Sequence, residues 1–412
     1  MATQQWVFSS RFRRNAFGWK SDLPIKRIKE AISEIKAVAR KDPVLAAEGA
    51  VLLLTKVAPA IEHVDSSSGS MGSAVNRAIE TLVPIISAAP VSDAIRQRWL
   101  DRLWAAIEDD GCSYIESLTD SWGDLCGEPH VALHWIELFR PTTEMIWRNW
   151  RPGRYEHYHG QNACLSSMIT AGQFEELLAL LDLAPYRFWH NHRWGVKALV
   201  ALGRGAEAIR YAEACRGLSA PDDQISGICE DILLRAGLSD EAYRKYALAA
   251  NQGTTHLATH RALVKKYPGK APVDILRDLI ESTPGAEGKW FAAAKDAGCF
   301  DLAIDLVNRS YTDPRTLVRA ARDFVESQPK FALECGVAAM RWLSEGYGFD
   351  ITALDVRDAY AATMAASRGV GVSDAVTNGR IYAILENSPV SGKFVMDALR
   401  GVLVREGALI QR

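Results

Sequence analysis

The chain has 412 residues, 48% of them hydrophobic and 24% charged, with a formal net charge of −2. Those proportions exclude wholesale disorder, and the near-neutral charge argues against a chain that coats nucleic acid, where affinity comes from neutralised phosphates. The length holds two or three ordinary domains, or one extended array that adds core as it grows.

The N-terminal run "MATQQWVFSSRFRRNAFGWK" contains arginines and serines, no acid and no apolar signal-peptide core. It reads as a loose tail without an export signal. Together with the helix that follows it holds Arg11, Arg13, Arg14, Lys20, Lys26, Arg27, Lys29, Lys36, Arg40 and Lys41 against only Asp22, Glu30 and Glu34. That excess is a solvated basic face or, alternatively, a nucleic-acid contact. In "PIKRIKEAISEIKAVARK", Ile25, Ile28, Ile32, Ile35 and Val38 form one helical stripe, opened by Pro24 and closed by Asp42-Pro43. A second helix is predicted from 43 to 63. The polar loop "DSSSGSMGS" and the helix "AVNRAIETLVPIIS" follow, then helices at 91–108, 112–122 and 130–140. "GAVLLLTKVAPAI" falls short of the roughly 20 apolar residues that a bilayer requires, so no membrane partner is expected. "HVALHWIE" sets His130, His134 and Glu137 on one helix face, a spacing that offers three metal ligands but lacks the general-base glutamate of a zinc-protease helix.

Beyond residue 160 the pattern becomes periodic. Apolar helices close on glycine in "SSMITAG" (Gly172), "KALVALG" (Gly203), "DILLRAG" (Gly237), "KKYPG" (Gly269) and "FAAAKDAG" (Gly298), at steps of 31, 34, 32 and 29 residues. Glycine suits the left-handed conformation that ends a helix. After four of these stops comes an acid (Glu175, Glu207, Glu241, Asp301) and then a small or apolar residue (Leu177, Ala208, Ala242, Ala303), as the start of a docked antiparallel helix requires. The predicted fold is therefore all-α: an α-solenoid of antiparallel helix pairs of the tetratricopeptide or HEAT type. An all-helical N-terminal region spans 1–140, the repeats 141–345 and capping helices 346–412.

The run "KRIKEAISEIKAVARKDPVLAAEGAVLLL", with "AVNRAIETLVPII" and "YIESLTDSWGDLC", resembles a family of predicted all-helical bacterial proteins of unassigned activity. The resemblance implies a fold and a bacterial source and supplies no catalytic residues. The Trp-x-x-Leu-Gly opening of the full tetratricopeptide signature is missing.

Two motifs share one register. "YEHYH" (155–159) and "YRFWH" (186–190) place His159 and His190 each thirteen residues before a helix-stopping glycine, with Tyr155 and Tyr186, and Tyr158 and Trp189, at matching offsets. Equivalent positions of stacked units lie about 8–10 Å apart, too far for His159 and His190 to share an ion. The aromatics either wedge the junctions between units or form a stripe that grips a partner. Arg148, Arg151, Arg154 and Arg193 lie beside them, a mixture that suits an acidic or phosphorylated segment.

Cys112, Cys126, Cys164, Cys215, Cys229, Cys299 and Cys335 are scattered without a C-x-x-C pair, which points to reduced thiols and a cytoplasmic location. Phosphate-loop, nucleophile-elbow and dinucleotide motifs are missing, so no cofactor is expected. The function expected is a non-enzymatic interaction scaffold for a protein or peptide partner. The alternatives are a metal-dependent enzyme using His130, His134 and Glu137, and a nucleic-acid binder acting through the basic N-terminal helix.

Overall fold

The computed structural model describes residues 5–152, 157–217, 221–388 and 390–405. No β-strand forms among them, and the protein is all-α, built largely of successive antiparallel helix pairs. The chain divides into two compact units, Met1–Ile225 and Ser226–Arg412.

The first unit opens with a correction to the loose tail. Trp6, Phe8, Phe12 and Phe17 are buried, their rings in sequence 5.4, 6.4 and 5.5 Å apart. Burial of four aromatic side chains offsets much of the entropy that the segment loses on ordering. The Val7 and Phe8 N–H groups donate to the Glu34 carboxylate, and Gly49 leaves the space that Trp6 fills, since a Cβ there would lie 2.3 Å from the indole.

Helix α1 (Asp22–Ala39) buries Ile28 and Ile35 and half-buries Ile25, Ile32 and Val38, the predicted stripe. The Asp42 carboxylate accepts from Leu45 N–H at 2.9 Å and caps α2 (Pro43–Ile61). By length and composition α2 is apolar enough to cross a bilayer, which corrects the shorter run read from the sequence. It packs instead against α1, α3 (Ser70–Ser87) and α4 (Asp93–Glu108), with Ala50, Leu54 and Ile61 fully buried; a helix apolar on every side belongs in a core.

A six-residue 3-10 helix, Glu116–Ser121, then leads into α5 (Trp122–Cys126) and α6 (Pro129–Arg148). The single helix expected over 112–122 is thus mostly a 3-10 segment. The Asp110 carboxylate fixes its approach by accepting from Cys112 and Ile115 N–H at 3.2 and 2.8 Å.

The repeat follows as α7 (Gly160–Thr170), α8 (Phe174–Leu181), α9 (Trp189–Ala201) and α10 (Gly205–Glu213). Gly172 has φ +71°, and the next residue, Gln173, donates to Met168 O five positions back, the closure of a left-handed helix stop. Gly203, Gly237 and Gly298 repeat this at φ 73°, 76° and 72°, with Arg204 to Leu199, Leu238 to Leu233 and Cys299 to Ala294. Leu177, Ala208, Ala242 and Ala303 are fully buried where the second helix docks.

The second unit begins within α11 (Asp222–Arg235). The chain continues through α12 (Ser239–Ala242), a π turn and α13 (Leu248–Ala250) to α14 (His256–Lys266), α15 (Pro272–Glu281), α16 (Phe291–Asp296) and α17 (Phe300–Arg309). Gly269 departs from the pattern: α14 ends on Tyr267 at φ −120°, because a residue before proline, here Pro268, is driven out of the helical region. Helices α18 (Pro314–Asp323), α19 (Pro329–Ser344), α20 (Ala353–Val370), α21 (Asp374–Glu386) and α22 (Val390–Arg405) complete the unit, and α19 is packed by α17, α18, α20, α21 and α22. Glu230, fully buried on α11, is matched by Lys266 Nζ at 2.5 Å, Tyr267 OH at 2.5 Å and Asn251 Nδ2 at 2.8 Å. A buried carboxylate persists only with such partners.

Candidate functional site

In the first unit, the end of α6, the approach to α7 and the approach to α9 meet around a cavity of about 500 Å³. Its base rests on an aromatic cluster in which Trp122 and Trp135 lie 5.0 Å apart, Trp135 and Phe139 5.3 Å, and the Tyr158 ring stands edge-on to Phe139 at 6.4 Å. Gly160 makes room for Tyr158, because a Cβ there would lie 2.4 Å from its ring. Burial, countered in part by Thr142, holds the Tyr158 phenol above its ordinary pKa, so it stays protonated.

The sequence-derived residues separate by role. Tyr158, His159, Tyr186, Trp189, His190 and Arg151 all line the cavity. Trp189 is buried, and its indole N–H donates to Gln224 Oε1 at 3.0 Å. Tyr186 is 49% exposed, and His190 contacts the Asn162 amide. Arg148 is exposed at the end of α6, with Glu144 at 3.8 Å. Arg193 pairs with Asp120 at 2.5 Å, so its charge is neutralised. Arg151 is exposed and donates to Trp150 O at 3.0 Å. Arg154 and Tyr155 lie outside the described residues, and with Tyr155 goes one half of the matched tyrosine pair.

Sequence reasoning missed Trp150 and Phe188. Trp150 meets Tyr186 edge-on at 5.0 Å, and Phe188, 50% exposed, lies 5.4 Å from Tyr186. Trp150 precedes the first motif and Phe188 lies inside the second, so an aromatic count over 147–190 would have found them. It also missed His157 and Glu116. His157 Nε2 lies 2.9 Å from Glu116 Oε1, His159 Nδ1 lies 3.2 Å from the same oxygen, and the two nitrogens are 3.2 Å apart. Glu116 stands forty-one positions before His157, and nothing in the sequence joins them.

The alternative metal set does not assemble. His130 Nε2 bonds Asp93 Oδ2 at 2.8 Å, His134 packs edge-on to Trp135 at 5.7 Å, and Glu137 is exposed. Among the described residues, the three donors brought within reach of one ion are Glu116, His157 and His159. The basic N-terminus is also partly neutralised: Arg11 and Arg27 both bind Glu30, at 2.9 and 2.6 Å.

No family model matches the chain, and no curated protein matches it. Two solved structures align with most of it. One is the crystal structure of the APC/C hetero-tetramer Cut9-Hcn1, 12% identical, covering 91% of this chain and 82% of that one at a TM-score of 0.21. The other is a circular tandem repeat protein with novel repeat topology and enhanced subunit contact surfaces, 15% identical, covering 93% and 91% at a TM-score of 0.20. At those scores neither likeness carries weight for fold or function.

Proposed function

We propose that the protein is an interaction module that holds a segment of a protein partner in the aromatic pocket of its first unit. One observation carries this reading: residues from consecutive helix starts converge on a single cavity whose rim presents Tyr186 and Phe188, each about half exposed, beside Trp150. Large aromatics left at a concave surface supply most of the binding energy where proteins recognise one another. The fitting segment inserts an apolar or aromatic side chain between the Trp150, Tyr186 and Phe188 rings. Arg148 and Arg193 already face carboxylates, so an acidic group on the partner is received by Arg151.

The test is selection of displayed random peptides on the full chain, followed by affinity measurement of the enriched sequences. Peptides with an apolar or aromatic anchor are expected, and the double variant Tyr186→Ala, Phe188→Ala weakens them at least tenfold, the loss of about 1.4 kcal/mol or more typical of such anchors. Both side chains are half exposed, so the variant keeps its fold by circular dichroism. Failure to enrich any peptide, or equal affinity for the folded variant, refutes the reading.

A further inference from the structure

We infer that Glu116, His157 and His159 form a binding site for one divalent transition-metal ion, with open coordination positions facing the aromatic cavity. The inference stands on the geometry of these residues and does not depend on the partner reading.

The three donor atoms make a nearly equilateral triangle of 2.9, 3.2 and 3.2 Å. An ion about 2.0–2.1 Å from each donor separates them by ~2.9 Å at octahedral angles and ~3.4 Å at tetrahedral angles. The observed edges fall in that interval.

Hydrogen bonding alone cannot satisfy the triangle. An ionised Glu116 only accepts, so each imidazole contact to Oε1 needs a proton on the nitrogen that faces it. With both nitrogens so protonated, no lone pair is left for their mutual contact. If either nitrogen is unprotonated, its lone pair opposes the carboxylate oxygen. A cation at the centre takes up three lone pairs at once.

The donors are held in place from behind. Tyr158, between the two histidines, packs toward Phe139 while its neighbours converge on Glu116. The 3-10 segment bearing Glu116 is tied to α7 by Ser166, whose hydroxyl accepts from Gly123 N–H at 3.0 Å and donates to Asp120 O at 3.1 Å. Arg193 holds the Asp120 side chain from α9. Metal affinity depends on such outer supports nearly as much as on the ligands.

Two imidazoles and one carboxylate suit ions of borderline softness such as Zn²⁺ or Fe²⁺, and disfavour Ca²⁺ and Mg²⁺, which take all-oxygen sites. Glu116, His157 and His159 all border the cavity, and their side chains are 29%, 48% and 26% exposed. Three protein ligands beside a cavity leave room for water or an oxygen donor from a bound molecule. That is the pattern of an open site, whereas structural zinc is enclosed by four protein ligands.

The test uses the full chain without a histidine tag, stripped with chelator and titrated with Zn²⁺ by calorimetry. One equivalent is expected to bind with a dissociation constant below about 10 µM. Glu116→Gln, His157→Ala and His159→Ala should each weaken binding at least tenfold, whereas His130→Ala leaves it unchanged. Loading the unmutated protein with one equivalent of Co²⁺ requires no variant: visible d–d bands shifted from those of hydrated Co²⁺ by imidazole coordination are expected, stronger the fewer waters remain bound, without thiolate charge transfer. A wild-type protein that binds no Zn²⁺ below that threshold, a folded double variant His157→Ala, His159→Ala with undiminished affinity, or the spectrum of hydrated Co²⁺ overturns the inference.

Discussion

His192 illustrates how one residue position divides support from exposure. Two places after His190, it points inward: it is 3% exposed, and its Nδ1 lies 2.6 Å from Tyr211 OH, while Arg187 reaches over the Tyr211 ring at 5.5 Å. Gly195 permits that approach, since a Cβ there would lie 2.8 Å from the tyrosine ring. Burial, reinforced by the Arg187 charge, pulls the imidazole down to about 4 from the ordinary 6.5. Between those pH values the unfolded chain carries a proton that the folded chain does not, so stability rises with pH through the window and is lost as pH falls from 6.5 toward 4. From pH 7 to pH 4.5 the loss is on the order of 2 kcal/mol from this residue. Urea unfolding of wild type and His192→Gln at both pH values isolates it: the wild type should lose about that much more than the variant, and equal losses would show that His192 does not titrate as described. The sequence motif treats Tyr186, Trp189 and His190 as one set, because it records residue type and offset. Which of them faces solvent is decided by the rotation of the chain entering α9, and that rotation is set by packing on Tyr211 and Gln224.

At the scale of elements, what was legible is what local chemistry dictates. A helix stop at Gly172 needs a left-handed residue, and glycine supplies it almost without cost, so the period of the repeat is visible in the bare sequence. The exception at Gly269 was also local, in the proline before it. What stayed hidden is the approach of the Glu116 segment to the His157–His159 segment, which arises from packing of α5 on α7 and has no short-range signature. Gly123 is a point of close approach: a Cβ there would lie 2.3 Å from Ser166 O and 2.4 Å from Thr170 Oγ1. Two effects oppose each other in Gly123→Ala. Helix propensity favours alanine by about 1 kcal/mol, whereas forcing a methyl group onto a backbone carbonyl in a packed core costs about 2–3 kcal/mol. The clash is larger, so the variant is expected to be less stable by about 1–2 kcal/mol in urea unfolding. Displacing the Asp120 and Glu116 backbone should also weaken Zn²⁺ binding. A variant more stable than wild type would mean that α5 and α7 do not meet this closely.

For the molecule as a whole, the decisive feature is that burial is organised into separate cores. Leu54, fully buried on α2, belongs to a core drawn from residues between Trp6 and Ala198; Met340, fully buried on α19, belongs to one drawn from residues between Tyr243 and Leu399. In arrays of helix pairs, stability is a sum of local units and nearest-neighbour interfaces, so damage should remain near its origin. Truncating either side chain to alanine removes buried methylenes and leaves a cavity, at a cost of about 2–5 kcal/mol. If each core is its own cooperative unit, Leu54→Ala accelerates amide hydrogen exchange in α1 through α4 and leaves α18 through α20 at wild-type rates, and Met340→Ala does the reverse. Acceleration of equal size in both sets of helices after either substitution would mean that the chain unfolds as a single body. Its aromatic pocket would then be sensitive to mutations anywhere in the 412 residues, and no longer governed by the packing of the first unit alone.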